Sequence, residues 1–227
     1  MNSRNSSSAK VLRTALAVAC GLAAAASSAS AATWVYVSNA DSQEISVLEL
    51  DRSQGTVKPV ETVNVGGQVM PMAVSPDKRF LYAALRSQPF RVTSFAIDPA
   101  TGKLRKLGEA PLADSMANID TDATGTWLFA ASYPGHKITV NSIDKEGKVG
   151  AIQQLVPTAP SAHAIRADGA DRFMRHTSLG GDSDSAWRFD ATTGRLTPNE
   201  PALTTTPPKS GPRHIVWDKA HRYAYLL

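Results

Sequence analysis

Beyond residue 31 the chain alternates short apolar runs with polar punctuation, and the apolar runs recur at a nearly fixed spacing. An aromatic residue opens one such run at Trp34, Phe80, Trp127, Phe173 and Tyr223, at intervals of 46, 47, 46 and 50 residues. A second run follows the first four of these: Ile45 to Leu50, Val92 to Ile97, Ile138 to Ile143 and Ala186 to Phe189. Each second run ends in an aspartate, Asp51, Asp98, Asp144 or Asp190. A glycine then stands at Gly55, Gly102, Gly147 or Gly194, with an apolar residue two positions later at Val57, Leu104, Val149 or Leu196. Aspartate, then glycine, then a return to apolar residues reads as a turn between antiparallel strands.

Ahead of each aromatic lies one more short run and turn, as in Met72-Ala73-Val74-Ser75 followed by Pro76-Asp77-Lys78-Arg79. Each period therefore holds about four short strands, and no helical 3.6-residue periodicity of useful length appears after the first 31 residues. Units that repeat in this way bury their apolar faces against one another. Four strands in roughly 46 residues suit a propeller blade better than a solenoid rung. The expected fold is all-β, an antiparallel β-propeller of about four blades, with the chain stopping inside the fifth unit.

The fourth unit departs from the pattern. Where the others have Phe80-Leu81-Tyr82-Ala83 or Trp127-Leu128-Phe129-Ala130, it reads Phe173-Met174-Arg175-His176, with Trp187-Arg188 in the next run. One reading is a polar site built into this blade. The other is local sequence decay, favoured because an unpaired charge in a sheet core is costly.

The first 31 residues form a separate segment. Arg4, Lys10 and Arg13 precede the apolar run Ala15 to Ala26, and Ala29-Ser30-Ala31 offers the small residues that a signal peptidase requires. The segment reads as a cleavable secretory leader, residues 1–31, ahead of a propeller domain at 32–227. A membrane anchor is the alternative, but the apolar run is shorter than the roughly 20 residues needed to span a bilayer. Lipid attachment at Cys20 would want a leucine three residues ahead, where Ala17 stands. The expected location is periplasmic or secreted.

Cleavage changes two bulk properties. Cys20 is the only cysteine, so the mature chain has neither a disulfide framework nor a thiolate nucleophile or ligand. Removing the three basic leader residues from the 24 in the chain leaves 21 against 20 acidic ones, which turns the formal +4 into +1. No nucleic-acid or membrane partner is implied by that balance. Oligomeric state is not indicated.

Candidate chemistry follows from the repeat. In a propeller the first strand of each blade lines the central channel, so equivalent positions in successive blades share one space. Ten residues ahead of each aromatic stand Met70, Ala117, His163 and Arg213. The repeat should therefore bring His163 and Arg213 together, although 50 residues separate them. An imidazole serves as acid or base near neutral pH, and a guanidinium offers a planar fork of donors for an anion. Such a pair suits ester or lactone hydrolysis, in which water loses a proton and charge builds on the carbonyl oxygen. Plain solvated channel residues are the alternative.

His214 either contacts substrate or points into the blade. His136 follows Pro134-Gly135 at a loop tip, His221 lies in a charged turn with Arg222, and His176 belongs to the irregular strand. No metal-ligand spacing, Gly-rich phosphate loop or serine-nucleophile elbow is present, so no metal or covalent serine mechanism is expected.

Three segments carry a resemblance: Gly67-Gln68-Val69-Met70-Pro71-Met72-Ala73-Val74-Ser75-Pro76-Asp77-Lys78-Arg79-Phe80-Leu81-Tyr82, Ala162-His163-Ala164-Ile165 and Gly211-Pro212-Arg213-His214. Together they resemble the seven-bladed propeller lactonase family, whose members include bacterial propeller-type 6-phosphogluconolactonases and fungal carboxy-muconate cyclases. The resemblance runs from about Thr33 to Leu227 and implies a hydrolase that opens a sugar lactone without a cofactor. It implies a catalytic histidine, arginine and glutamate around the channel, the first two matched by His163 and Arg213, with Gln68 and His214 as substrate contacts. The glutamate usually follows in an Asn-Glu-Leu segment after the strand matching Tyr223 to Leu227, where this sequence stops.

Departures from the family pattern are Arg175 and His176 in place of apolar residues, and Ile215-Val216-Trp217-Asp218 where Phe-His-Pro is usual. Against a seven-bladed ring, the chain holds a little over four blades and is expected to be unstable or inactive alone. The leader favours an unphosphorylated lactone over a phosphorylated cytosolic one. Val35-Tyr36-Val37-Ser38-Asn39 also resembles the repeats of surface-layer propellers, so a non-catalytic periplasmic or surface binding protein is the second hypothesis. A degraded gene product is the third.

Overall fold

The computed structural model describes residues 32–227, and the leader expected at residues 1–31 lies outside them. They form antiparallel sheets in chain order, as the aromatic period implied. The first sheet comprises β1 (Thr33–Asn39), β2 (Glu44–Asp51) and β3 (Thr56–Asn64). The second comprises β4 (Val69–Val74), β5 (Phe80–Leu85), β6 (Arg91–Ile97) and β7 (Leu104–Pro111), ordered as in the chain. The third holds β8 (Asn118–Thr121), β9 (Trp127–Ser132), β10 (Lys137–Ile143) and β11 (Val149–Pro157). The fourth holds β12 (Ala162–Ala167), β13 (Phe173–Ser178), β14 (Ser183–Asp190) and β15 (Arg195–Thr205), and β16 (Ile215–Trp217) pairs with β17 (Ala224–Leu226). A 3-10 turn at Leu179–Gly181 is the one helical element among the described residues.

Two kinds of turn, each capped by a side-chain oxygen, recur along the chain and explain the landmarks. After the second run, the carboxylates of Asp51, Asp98, Asp144 and Asp190 accept backbone N–H groups two residues on. The aspartate carbonyls accept the N–H of Gly55, Gly102, Gly147 and Gly194, each of which has a positive φ between 66° and 79°. A second acceptor stands five residues before each aromatic from the second unit on. Ser75 Oγ and the carboxylates of Asp122, Asp168 and Asp218 take the N–H of Phe80, Trp127, Phe173 and Tyr223.

The cores lie in the seams between sheets. Ile45 of the first sheet packs in one cluster with Val69, Leu81, Leu85 and Phe95 of the second. Tyr82 and Val92 meet Met116, Ile119 and Leu128 across the next seam, and Phe129, Ile138 and Val140 meet Ile165, Met174 and Phe189 across the third. Burying each of these large apolar side chains contributes about 1.5–3 kcal/mol.

The aromatic and glycine landmarks belong to one contact. A β-carbon on Gly102 would overlap the Trp34 ring, one on Gly147 the Phe80 ring and one on Gly194 the Trp127 ring. Each glycine turn therefore sits on the aromatic of the preceding unit. The indole N–H groups of Trp34 and Trp127 reinforce the seat by donating to the Pro99 and Ala191 carbonyls at 3.3 and 2.8 Å.

In the fourth sheet the strand with the departing sequence, β13, pairs regularly with β14. β13 pairs residue by residue with β14 from Phe173 opposite Arg188 to Ser178 opposite Ser183, so the irregularity of the His176 strand is one of sequence and not of its pairing with β14. The Arg175 guanidinium forms an ion pair with the buried Asp184 carboxylate on β14. His176, 1% exposed, accepts the Trp187 indole N–H on Nδ1 at 2.8 Å. Burial pushes its pKa down to about 4. The polar departures are thus partly partnered: Arg175 Nε, His176 Nε2 and one Asp184 carboxylate oxygen are buried without a hydrogen-bond partner among the described residues.

Candidate functional site

The inner strands β4, β8, β12 and β16 stand side by side in that order. Their N-terminal ends share one rim with the loops before them and with the hairpin tips between the second and third strands of each sheet. Met70, Ala117, His163 and Arg213 all lie at this rim, as the register count implied.

His163 sits on a β-bulge. Ala162 pairs with Ser178 and Ala164 with Thr177, so two steps on β12 match one on β13 and His163 is left without a cross-strand partner. β4 carries a register shift at the same place, between Val69 and Met72. A bulge bends the strand and re-aims the extra side chain. At His163 the ring is turned to the rim, half-buried, between residues of the two neighbouring units.

On one side the His214 ring meets it edge-on, with centroids 5.0 Å apart and planes at 77°. On the other, Tyr133 lies 6.1 Å away at 88°. The Nδ1 atom of His163 is buried and has no hydrogen-bond partner among the described residues. Burial first, and then the charges of His214 and Arg213, hold the His163 pKa below the ordinary imidazole value. The ring is therefore neutral near pH 7 and able to accept a proton.

Arg213 is exposed, and its guanidinium makes no hydrogen bond or ion pair among the described residues, which leaves its fork of donors free. The segment bearing it is fixed by its main chain. The Arg213 N–H donates to the Leu227 carbonyl at 2.6 Å, and the Leu227 N–H donates to the His214 carbonyl at 3.1 Å. The preceding loop is folded by Asp182, whose carboxylate accepts the N–H groups of Lys209 and Gly211 at 2.7 and 2.9 Å. His214 is exposed at the rim and does not point into the blade.

Gln68 occupies the same rim two units away, with its main chain held by Ser87 Oγ and the Arg86 N–H. No direct contact joins it to His163, Arg213 or His214. The remaining histidines serve the scaffold. His136 Nδ1 accepts the Ser161 N–H at 2.8 Å, and His221 lies beside Trp217 in the turn at the opposite rim.

Tyr133, Thr177 and Asp182 escaped the sequence reading. Tyr133 is six residues past its aromatic, in register with Arg86 of the second unit, so the period could have marked that position as a rim site too. Thr177 and Asp182 act through bonds to other segments, which the repeat does not signal. Among the described residues no three His, Cys, Asp or Glu side chains converge on a potential metal position.

Comparison with known proteins agrees with this architecture. The family model "Lactonase, 7-bladed beta-propeller" matches residues 30–227. A 6-phosphogluconolactonase of Yersinia pestis (strain Pestoides F) is 38% identical over 194 residues, which are 85% of this chain and 57% of the relative. The Pectobacterium carotovorum 6-phosphogluconolactonase is 37% identical over 193 residues, 85% of this chain and 57% of its own length. Among solved structures, the periplasmic gluconolactonase of Pseudomonas aeruginosa superposes with a TM-score of 0.77 at 24% identity, covering 86% of this chain and 60% of that one. The chain thus spans little more than half the length of the curated relatives it matches. With the period, the sheet order and the inner-strand rim all in agreement, the chain belongs to the seven-bladed β-propeller lactonase family.

Proposed function

We propose that this chain forms part of a lactone hydrolase in which His163 and Arg213 act on one substrate at the propeller rim. The observation that carries the reading is the bulge-mounted His163 imidazole at one rim with an exposed Arg213 guanidinium that makes no ion pair among the described residues. His163 takes a proton from water as the water oxygen attacks the lactone carbonyl. Arg213 steadies the negative charge that develops on the carbonyl oxygen. Collapse of the tetrahedral intermediate breaks the ring C–O bond, and the imidazolium returns its proton to the departing alkoxide. The product is the open hydroxy acid; one water is consumed, and both side chains return to their starting state. His214 and Gln68 are assigned to substrate contact.

The substrate class is a sugar lactone, 6-phosphogluconolactone or an unphosphorylated analogue. The relatives' names support the former. The leader-like residues 1–31 and the likeness to a periplasmic gluconolactonase support export and the unphosphorylated compound. The test is hydrolysis of gluconolactone and its 6-phosphate by the full-length gene product, followed by His163→Ala and Arg213→Ala. Each variant should lose about 10²-fold or more in kcat. Wild-type turnover in both would overturn the site assignment, and a full-length protein that binds sugars but opens no lactone would favour a binding propeller.

A further inference from the structure

The rim residues are held by main-chain atoms, and hydroxyl groups reach those atoms across the seams. Four residues past the aromatic, the units carry Ser38, Ala84, Ala131 and Thr177. Ser38 Oγ donates to the carbonyl of Met70, the rim residue of the next unit, at 2.9 Å. Thr177 Oγ1 donates to the carbonyl of Arg213, the rim residue of its own next unit, at 2.8 Å. The contact thus recurs in equivalent register, and the two alanine units lack the group to make it.

Thr177 does one thing more. The bulge leaves His163 without a partner and sets Ala164 opposite Thr177, whose Oγ1 accepts the Ala164 N–H at 3.1 Å. A single hydroxyl therefore accepts from the residue after His163 and donates to Arg213 itself. Thr177 is fully buried, and the branch at its β-carbon restricts χ1, so the hydroxyl has little freedom to swing between the two segments.

We propose that Thr177 is a positioning residue whose hydroxyl sets the spacing between the His163 bulge and the Arg213 segment. This rests on the reading of His163 and Arg213 as the reacting pair. Without the hydroxyl the fourth and fifth units still pack, but the two segments lose the atom that joins them. Misplacement of a reacting group by about 1 Å costs on the order of 10²-fold in rate.

The experiment compares Thr177→Val, Thr177→Ser and Ser38→Ala in the full-length gene product. Valine keeps the shape and removes both bonds; serine keeps the hydroxyl. Should valine fail to fold, Thr177→Ala replaces it, since alanine is fully buried at this register in Ala84 and Ala131. The valine variant should lose about 10- to 100-fold in kcat with KM changed less than about threefold. Serine should restore most of the rate, and Ser38→Ala, which breaks the equivalent contact at Met70, should keep wild-type kcat. Amide exchange at Ala164 should speed up in the valine variant and return toward wild type in the serine variant. Wild-type kcat in the valine variant, failure of serine to rescue, or an equal loss in Ser38→Ala would overturn the proposal. If the wild type opens no lactone, the catalytic reading fails, and unchanged Ala164 exchange in the valine variant would then overturn the pin separately.

Discussion

Replacing Gly194 with alanine tests the contact that joins one unit to the next, and Gly66→Ala supplies a matched control. The two glycines stand in turns with φ of 69° and 67°, so the left-handed backbone costs an added β-carbon the same amount in both, about 1–2 kcal/mol. The entropy that alanine removes from the unfolded chain is also common to both and cancels in the comparison. Only their surroundings differ. A β-carbon at Gly194 would run into the Trp127 ring, whereas at Gly66 the nearest atom is an Arg91 guanidinium nitrogen at 3.7 Å, an ordinary contact. Moving the ring also threatens the 2.8 Å bond from the Trp127 indole to the Ala191 carbonyl. Overpacking of this kind costs about 1–3 kcal/mol, so Gly194→Ala should destabilise by that much more than Gly66→Ala. With a urea dependence of about 2 kcal/mol per molar, the midpoints should differ by roughly 0.5–1.5 M at unchanged slope. Equal midpoint shifts would refute the claim that glycine and aromatic landmarks form one seat.

Two further predictions concern pH. Because burial and nearby positive charge depress the His163 pKa, the acid limb of kcat/KM for the full-length gene product should have its midpoint below about 6.5, and His163→Ala should remove that limb. His176 is neutral in the folded state down to about pH 4, whereas the unfolded chain takes up this proton near pH 6.5. Stability is then full above about pH 6.5 and falls by up to roughly 3 kcal/mol as the pH drops to 4. In urea titrations at pH 7 and pH 5, His176→Gln should show a smaller loss over that interval than wild type, and an identical loss in both would contradict the assignment.

The architecture was legible because the features that make it are local and periodic. Asp98-to-Gly102 and Pro76-to-Phe80 are single turns whose bonds run between residues a few positions apart, and each recurs in every unit that contains it. The register that brings His163 and Arg213 to one rim follows from the same count. What stayed hidden depends on contacts between segments. The His163 bulge is a mismatch between β12 and β13, invisible in either strand alone. Arg175 looked like an unpaired charge because its partner, Asp184, lies on the next strand behind the Leu179–Gly181 turn. Thr177 reads as an ordinary strand residue until Arg213 of the next unit is brought against it. The glycines were read as turn formers, which they are, but their second role over the preceding aromatic needs the packed seam.

The central claim is that the repeat makes one functional unit of two residues 50 positions apart. A double-mutant cycle on kcat/KM tests it most directly, using His163→Ala, Arg213→Ala and the double variant in the full-length gene product. Groups that act together in one step are strongly non-additive, so the double variant should be about as impaired as the worse single one. Losses that simply multiply, or single variants with undiminished activity, would contradict the account.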